Sequence, residues 1–217
     1  MEARSRHDGA VAQRRRLVIA IDGLSGTGKS TLAVRLADDL KIACINTGLY
    51  FRFAAHLAEA EGLAPAEVAE ELRRVGDPLA RYREAEALGA RLRDPTLTEV
   101  LAVLTQDRLV RDAVLALERA DIHALGSAVV EGRDIGTVVV PDAELKLFLV
   151  ARDAVRVARR HDEGVAVLAR DRVNARRAVA PALPAADAIV VDTSDVSVAA
   201  LAVRVGELVA ALSEVPA

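Results

Sequence analysis

Five short stretches of the chain are apolar at nearly every position: residues 17–21 (LVIAI), 42–45, 128–130, 145–150 and 188–191. Runs of this kind, apolar without alternation, predict strands buried on both faces, as in a parallel sheet. Elsewhere the period lengthens. Leu32, Leu36 and Leu40, with Ala33 and Ala37, make one helical stripe. Residues 64–75 (APAEVAEELRRV) predict a helix with Pro65 near its start and Gly76 past its end. Residues 107–121 predict another, with Leu109, Val110, Ala113, Val114 and Leu117 on its apolar face. The last helix is expected from about Val198 to Leu212, with Ser197 as its N-cap. Gly76-Asp77-Pro78 marks a turn, and His161-Asp162-Glu163-Gly164 a polar break. Strands alternating with helices give an α/β class. Right-handed crossovers would set all five strands parallel, with their C-terminal loops around one crevice.

Composition narrows this picture. A chain of 217 residues suffices for one α/β domain with small insertions. Its core must be built from Ala, Val, Leu and Ile, because two tyrosines and three phenylalanines are all the aromatic residues present. No apolar run reaches the ~18–20 residues of a membrane span. The leader MEARSRHDGAVAQRRR has no apolar segment of a signal peptide and is expected to be a disordered arm, residues 1–16. The single cysteine, Cys44, sits in an apolar run and is expected to be a buried core thiol, in keeping with a reducing cytoplasm. A net charge of −3 argues against nucleic-acid binding. Arginine supplies all but three of the 29 basic residues, so any one arginine needs a positional argument.

Chemistry enters at the end of the first predicted strand. Gly23-Leu-Ser-Gly-Thr-Gly-Lys-Ser30 fits G-x-x-x-x-G-K-[ST] and stands between a strand and a helix, the context in which such a loop binds phosphate. Its backbone N–H groups and the following helix N-terminus would cradle ATP, with Gly23, Ser25, Gly26, Thr27, Gly28, Lys29, Ser30 and Thr31 as the binding residues. Lys29 would reach the β- and γ-phosphates, and the Ser30 hydroxyl would ligate Mg²⁺. The second strand delivers Asn46-Thr47-Gly48 to the same rim, and the third delivers Glu131-Gly132-Arg133-Asp134.

Four segments carry a family resemblance: GLSGTGKST at 23–31, INTGLYFR at 45–52, VVEGRDIGTVVVPDAELKLFL at 129–149, and RDRVNARRAVAPALPAADAIVVDTS at 170–194. Together they resemble bacterial cytidylate kinase over most of residues 17–200, the GRDIGTVV-x-PDAE segment being the most specific part. The resemblance implies a P-loop nucleoside monophosphate kinase fold, with a five-stranded parallel sheet, an acceptor-binding insert and a lid. Mapped here, these are a core over 17–55, 96–158 and 177–217, a helical insert over 56–95 and a short lid over 159–176. The implied reaction is ATP-dependent phosphorylation of CMP or dCMP with Mg²⁺, on a small nucleotide, by a cytoplasmic enzyme expected to be a monomer without nucleic-acid or membrane partners.

The resemblance also assigns roles. Arg52, Arg133 and Arg177 match arginines that hold the acceptor's phosphate, as suits a planar fork that binds phosphate oxygens bidentately. Thr47 matches a contact to the acceptor's sugar and phosphate. Arg111 and Asp134 match the residues reading the cytosine edge, whose amino donor and carbonyl acceptor call for a carboxylate and a guanidinium. Arg170 and Asn174 belong to the lid motif, and Glu131 matches a carboxylate at the third strand's end, an outer ligand for hydrated Mg²⁺. Lys29, Arg133, Asp134 and Arg177 are thereby the implied catalytic set. The arginines between 152 and 177 are expected to form a lid cluster over ATP.

Departures from the family fall on acceptor recognition. Asn174 replaces a lid aspartate, Ala102 a serine that helps read the base, Asn46 an aspartate and Phe51 a tyrosine. The lid is shortened, and a helical stretch, DPLARYREAEALGARL, stands where the family has a hairpin. Two other readings therefore stay open on sequence: a kinase for a modified nucleotide or other small phosphorylated metabolite, and a nucleotide-binding protein with little catalysis.

Overall fold

A computed structural model describes residues 16–74, 76–94, 96–160 and 182–214. Five strands form one sheet: β1 (Val18–Gly23), β2 (Ala43–Asn46), β3 (Ala128–Glu131), β4 (Leu145–Val150) and β5 (Ile189–Asp192). Their order is β2-β3-β1-β4-β5, and every pairing is parallel. β1 lies at the centre of the sheet, between β3 and β4, and all six of its residues are buried. Val18 and Ala20 enter one core layer, and Ile19 and Ile21 the other.

Helices fill both layers. α1 (Lys29–Leu40) and α8 (Val198–Glu214) cover one face; Leu32 and Leu36 pack there with Leu201 and Val205. The other face is covered by α2 (Gly48–Glu61), α3 (Pro65–Arg73), α4 (Ala80–Leu88), α5 (Leu97–Leu104) and α6 (Arg108–Leu125), with a 3₁₀ turn at Gly89–Arg93. α7 (Asp153–Arg159) follows β4. The expected α3 and α8 are present; Ser197 Oγ accepts from Ala200 N at 3.2 Å, as an N-cap should. The stretch after Asp77 is helical as predicted, and its entry is fixed by Leu79, whose positive φ of 65° is held by an N–H donated to Asp121 at 2.7 Å. No helix among the described residues is long and apolar enough to cross a membrane.

Three expectations need correction. β5 is not a buried strand: Ile189 and Val190 are exposed, since it pairs with β4 alone at the sheet's edge. β2 is the opposite edge, so Cys44 is only partly buried, although its surroundings still push the thiol up to about 11. β3 leads not into an α-helix but into a single π-helical turn, Ile135–Val139, before β4.

Register aligns the functional tips. Ile21 pairs with Glu131, and Glu131 with Asn46, so the ends of β1, β3 and β2 lie at one level on the sheet's C-terminal edge.

Candidate active site

The phosphate loop springs from β1 and turns into α1 at Gly28, whose φ of 95° is a left-handed conformation. Gly26 has no room for a side chain: a Cβ there would lie 2.8 Å from the Arg156 carbonyl oxygen and 3.0 Å from its Cα, because α7 packs directly under the loop. Thr27 Oγ1 donates to the Leu24 carbonyl at 2.8 Å, and Lys29 Nζ donates to the same oxygen at 2.9 Å. Enclosure by the loop lowers the Lys29 ammonium to about 8, against the pull of Glu131 and with the push of Arg133. Thr31 is exposed on α1.

The β3 tip joins this loop. Ser30 Oγ donates to Glu131 Oε1 at 2.8 Å, and Glu131 is only 5% exposed. Thr47, at the end of β2, donates through both N–H and Oγ1 to the Glu131 carbonyl, each at 3.1 Å. That approach requires Gly132, where a Cβ would meet Thr47 Oγ1 at 2.5 Å. Arg133 turns toward the loop, its Nη2 donating to Ser25 Oγ at 2.9 Å. Asp22, the last acidic residue of β1, receives the Ile135 and Gly136 N–H groups, one on each carboxylate oxygen, both at 2.8 Å. Burial nevertheless raises it to about 6.

Beyond Arg133 a second region of the site opens. Arg111 Nη2 donates to Asp134 Oδ2 at 3.0 Å, and the Arg111 guanidinium lies 5.8 Å from the Phe51 ring centroid. These side chains border a cavity of about 390 Å³, lined also by Leu115, Glu118 and Val138. Arg52, at the start of the second turn of α2, donates to the Leu92 carbonyl at 3.0 Å. Ala102 is exposed on α5 and is not among the residues lining that cavity. Arg170, Asn174 and Arg177 lie outside the described residues.

The structure thus brings together Lys29, Ser30, Thr47, Glu131 and Arg133 around the phosphate loop, with Arg111 and Asp134 beside a cavity. The cytidylate kinase family model matches residues 19–211. Cytidylate kinases of Mycobacterium leprae, Rhodococcus opacus and Mycolicibacterium paratuberculosis are 34%, 35% and 35% identical to the chain. The alignments cover 89%, 84% and 92% of this chain and 95%, 90% and 97% of those proteins. The chain belongs to the cytidylate kinase family. It is a nucleoside monophosphate kinase.

Within this kinase, sequence reasoning missed the residues that brace the loop. Arg156 was expected in the lid cluster, yet it is 4% exposed on α7, and its Nε donates to the Ser25 carbonyl at 2.8 Å. Arg159 donates to Thr193, whose hydroxyl in turn donates to the Thr27 carbonyl at 2.8 Å. Arg152 pairs with Asp195 at the end of β5. Arg156 and Arg159 stand on α7, which packs beneath the loop, and Arg152 just precedes that helix. Asp22 was missed too, although a carboxylate ending the strand before the first loop glycine was a visible signal.

Ser30 and Glu131 suit Mg²⁺. Their two oxygens face each other at 2.8 Å at the β3 tip, a hard donor pair matching an ion held by one or two protein oxygens, phosphate and water.

Proposed function

We propose that this kinase transfers the γ-phosphoryl group of ATP to CMP or dCMP, giving ADP and CDP or dCDP, with Mg²⁺ held at Ser30 and Glu131. The observation carrying this reading is the Arg111–Asp134 pair beside a cavity, one residue from the arginine that reaches the phosphate loop. Asp134 and Arg111 offer an acceptor and donors to the cytosine edge, which presents the complementary pattern.

An oxygen of the acceptor's phosphate attacks the γ-phosphorus in line as the bond to the β,γ-bridging oxygen breaks. The phosphate monoester is largely dianionic near neutral pH, so no protein base is needed to generate the nucleophile. Mg²⁺, when bound, neutralises charge on the β- and γ-oxygens. Lys29 supplies a cation on the donor side. Arg133, tied to Ser25, lies between donor and acceptor, where its fork stabilises the transferring group. Thr47 and Arg52 stand at the acceptor's sugar and phosphate.

The helical segment 56–95 is assigned to acceptor binding and 159–176 to the lid; Arg170, Asn174 and Arg177 complete the acceptor contacts in this reading. The single cysteine fits a reducing cytoplasm, and a net charge of −3 fits small nucleotides better than nucleic acid; in this reading the enzyme works as a monomer.

The test is ADP release from MgATP with CMP, dCMP, UMP, AMP, GMP and dTMP. Turnover confined to CMP and dCMP is expected. Silence with both, while ATP still binds, would overturn the assignment.

A further inference from the structure

Two carboxyl groups lining the cavity beside Asp134 are not used by the reaction just described: Asp112, exposed and paired with Arg108 at 3.8 Å, and Glu118. Glu118 is 3% exposed, deeper than Arg111 or Asp134, yet it lines the cavity. It stands on α6 seven residues after Arg111, with Leu115 between, so all three face the same slot. The π-turn forms the opposite wall through Val138 and Val139. No hydrogen bond to the Glu118 carboxyl is present among the described residues. A buried carboxyl normally has a partner, and leaving one unmatched is costly. A carboxyl unmatched by the protein but open to a ligand cavity points to a ligand donor.

We propose that Glu118 is a specificity-determining residue whose carboxyl accepts a hydrogen bond from the exocyclic amino group of the acceptor pyrimidine. This rests on the cytidylate reading above. An amino group carries two hydrogens, and Asp134 takes one. Glu118 takes the other from the deep side of the slot, while Arg111 stays paired with Asp134. Burial, with Asp134 and Asp121 nearby, holds the Glu118 carboxyl well above the ordinary carboxylate range, against Arg111 and Arg119. A neutral carboxyl keeps its carbonyl oxygen as an acceptor, so an amide at this position should serve equally well.

Steady-state kinetics would be measured for wild type, Glu118→Gln and Glu118→Leu, with CMP and with its analogue bearing hydrogen in place of the 4-amino group. In Glu118→Leu the KM for CMP should rise about tenfold, with kcat within about threefold and no loss of melting temperature. The preference of wild type for CMP over the analogue should shrink by the same factor in Glu118→Leu and survive in Glu118→Gln. An unchanged preference in Glu118→Leu, or equal loss with both nucleotides, would overturn the assignment and leave Glu118 a packing residue. If wild type itself fails to turn over CMP, the cytidylate reading falls, and this inference falls with it.

Discussion

Ser30 Oγ and Glu131 Oε1 lie 2.8 Å apart, joining the first turn of α1 to the end of β3. The contact depends on register, since Glu131 pairs with Ile21 just before the phosphate loop begins. Glu131 is also fixed from behind by Thr47, which donates twice to its carbonyl. A carboxylate held this firmly is suited to orienting the hydration shell of the ion that Ser30 is proposed to ligate. Glu131→Gln should therefore raise the Mg²⁺ concentration for half-maximal rate about tenfold, while circular dichroism stays native. An unchanged Mg²⁺ titration would remove Glu131 from the metal site.

Arg133 bridges toward the loop through Ser25, yet it grows from the acceptor side of the site. Truncation should strike the transition state harder than either ground state. Arg133→Ala is expected to lower kcat by about 10³, with the Kd for ATP changing less than about tenfold. Equilibrium binding of a fluorescent ATP analogue, measured beside turnover, separates the two effects. Loss of ATP binding without loss of fold would place Arg133 on the donor side.

The donor half of this site is legible in sequence because it is local: eight consecutive residues between a strand and a helix carry the loop, Lys29 and Ser30. The β3 tip is legible by its motif, but its geometry is not. That Asp22 holds Ile135 and Gly136 follows only once β1 and β3 are neighbours, a long-range fact no local pattern contains. Apolar runs mark β2 and β5 as strands without saying that they are edges, which is why burial was overstated for both. Arg156 was misplaced because a chain so rich in arginine gives no local cue separating a buried brace from a lid residue. Glu118 reads as an ordinary polar position of an amphipathic helix until the cavity beside it is seen.

Arg156 gives the loop's rigidity a testable cause. Its Nε–H meets the Ser25 carbonyl in a buried setting, and Asp153 pairs with its Nη1 at 2.9 Å. Arg156→Met keeps much of the volume but removes the charge-assisted bond to the Ser25 carbonyl. A lost charge-assisted hydrogen bond of this kind costs about 2 kcal/mol, or roughly 5 °C of melting temperature for a chain of this size. ATP affinity should fall in parallel, because the loop under Gly26 loses its floor. Thermal melts with and without ATP check both; an unchanged melt would mean the brace is redundant with Arg159 and Thr193.

Lys29 makes ATP binding sensitive to alkaline pH. Enclosure lowers its ammonium from 10.5 to about 8, Glu131 only partly offsetting the effect. Bound triphosphate favours the charged form, so the pKa in the complex lies above that of the free enzyme. Well below pH 8 both states carry the proton, and affinity does not depend on this group. Above pH 8 the free enzyme has lost the proton and the complex retains it, so binding takes one up. Affinity should then weaken by up to about tenfold per pH unit until the complex itself titrates. Calorimetry at pH 8 in two buffers of different ionisation enthalpy should report uptake of about half a proton per ATP, and nearly none at pH 7. A lysine at its ordinary 10.5 would give no uptake at either pH, and that result would show that the loop does not depress Lys29.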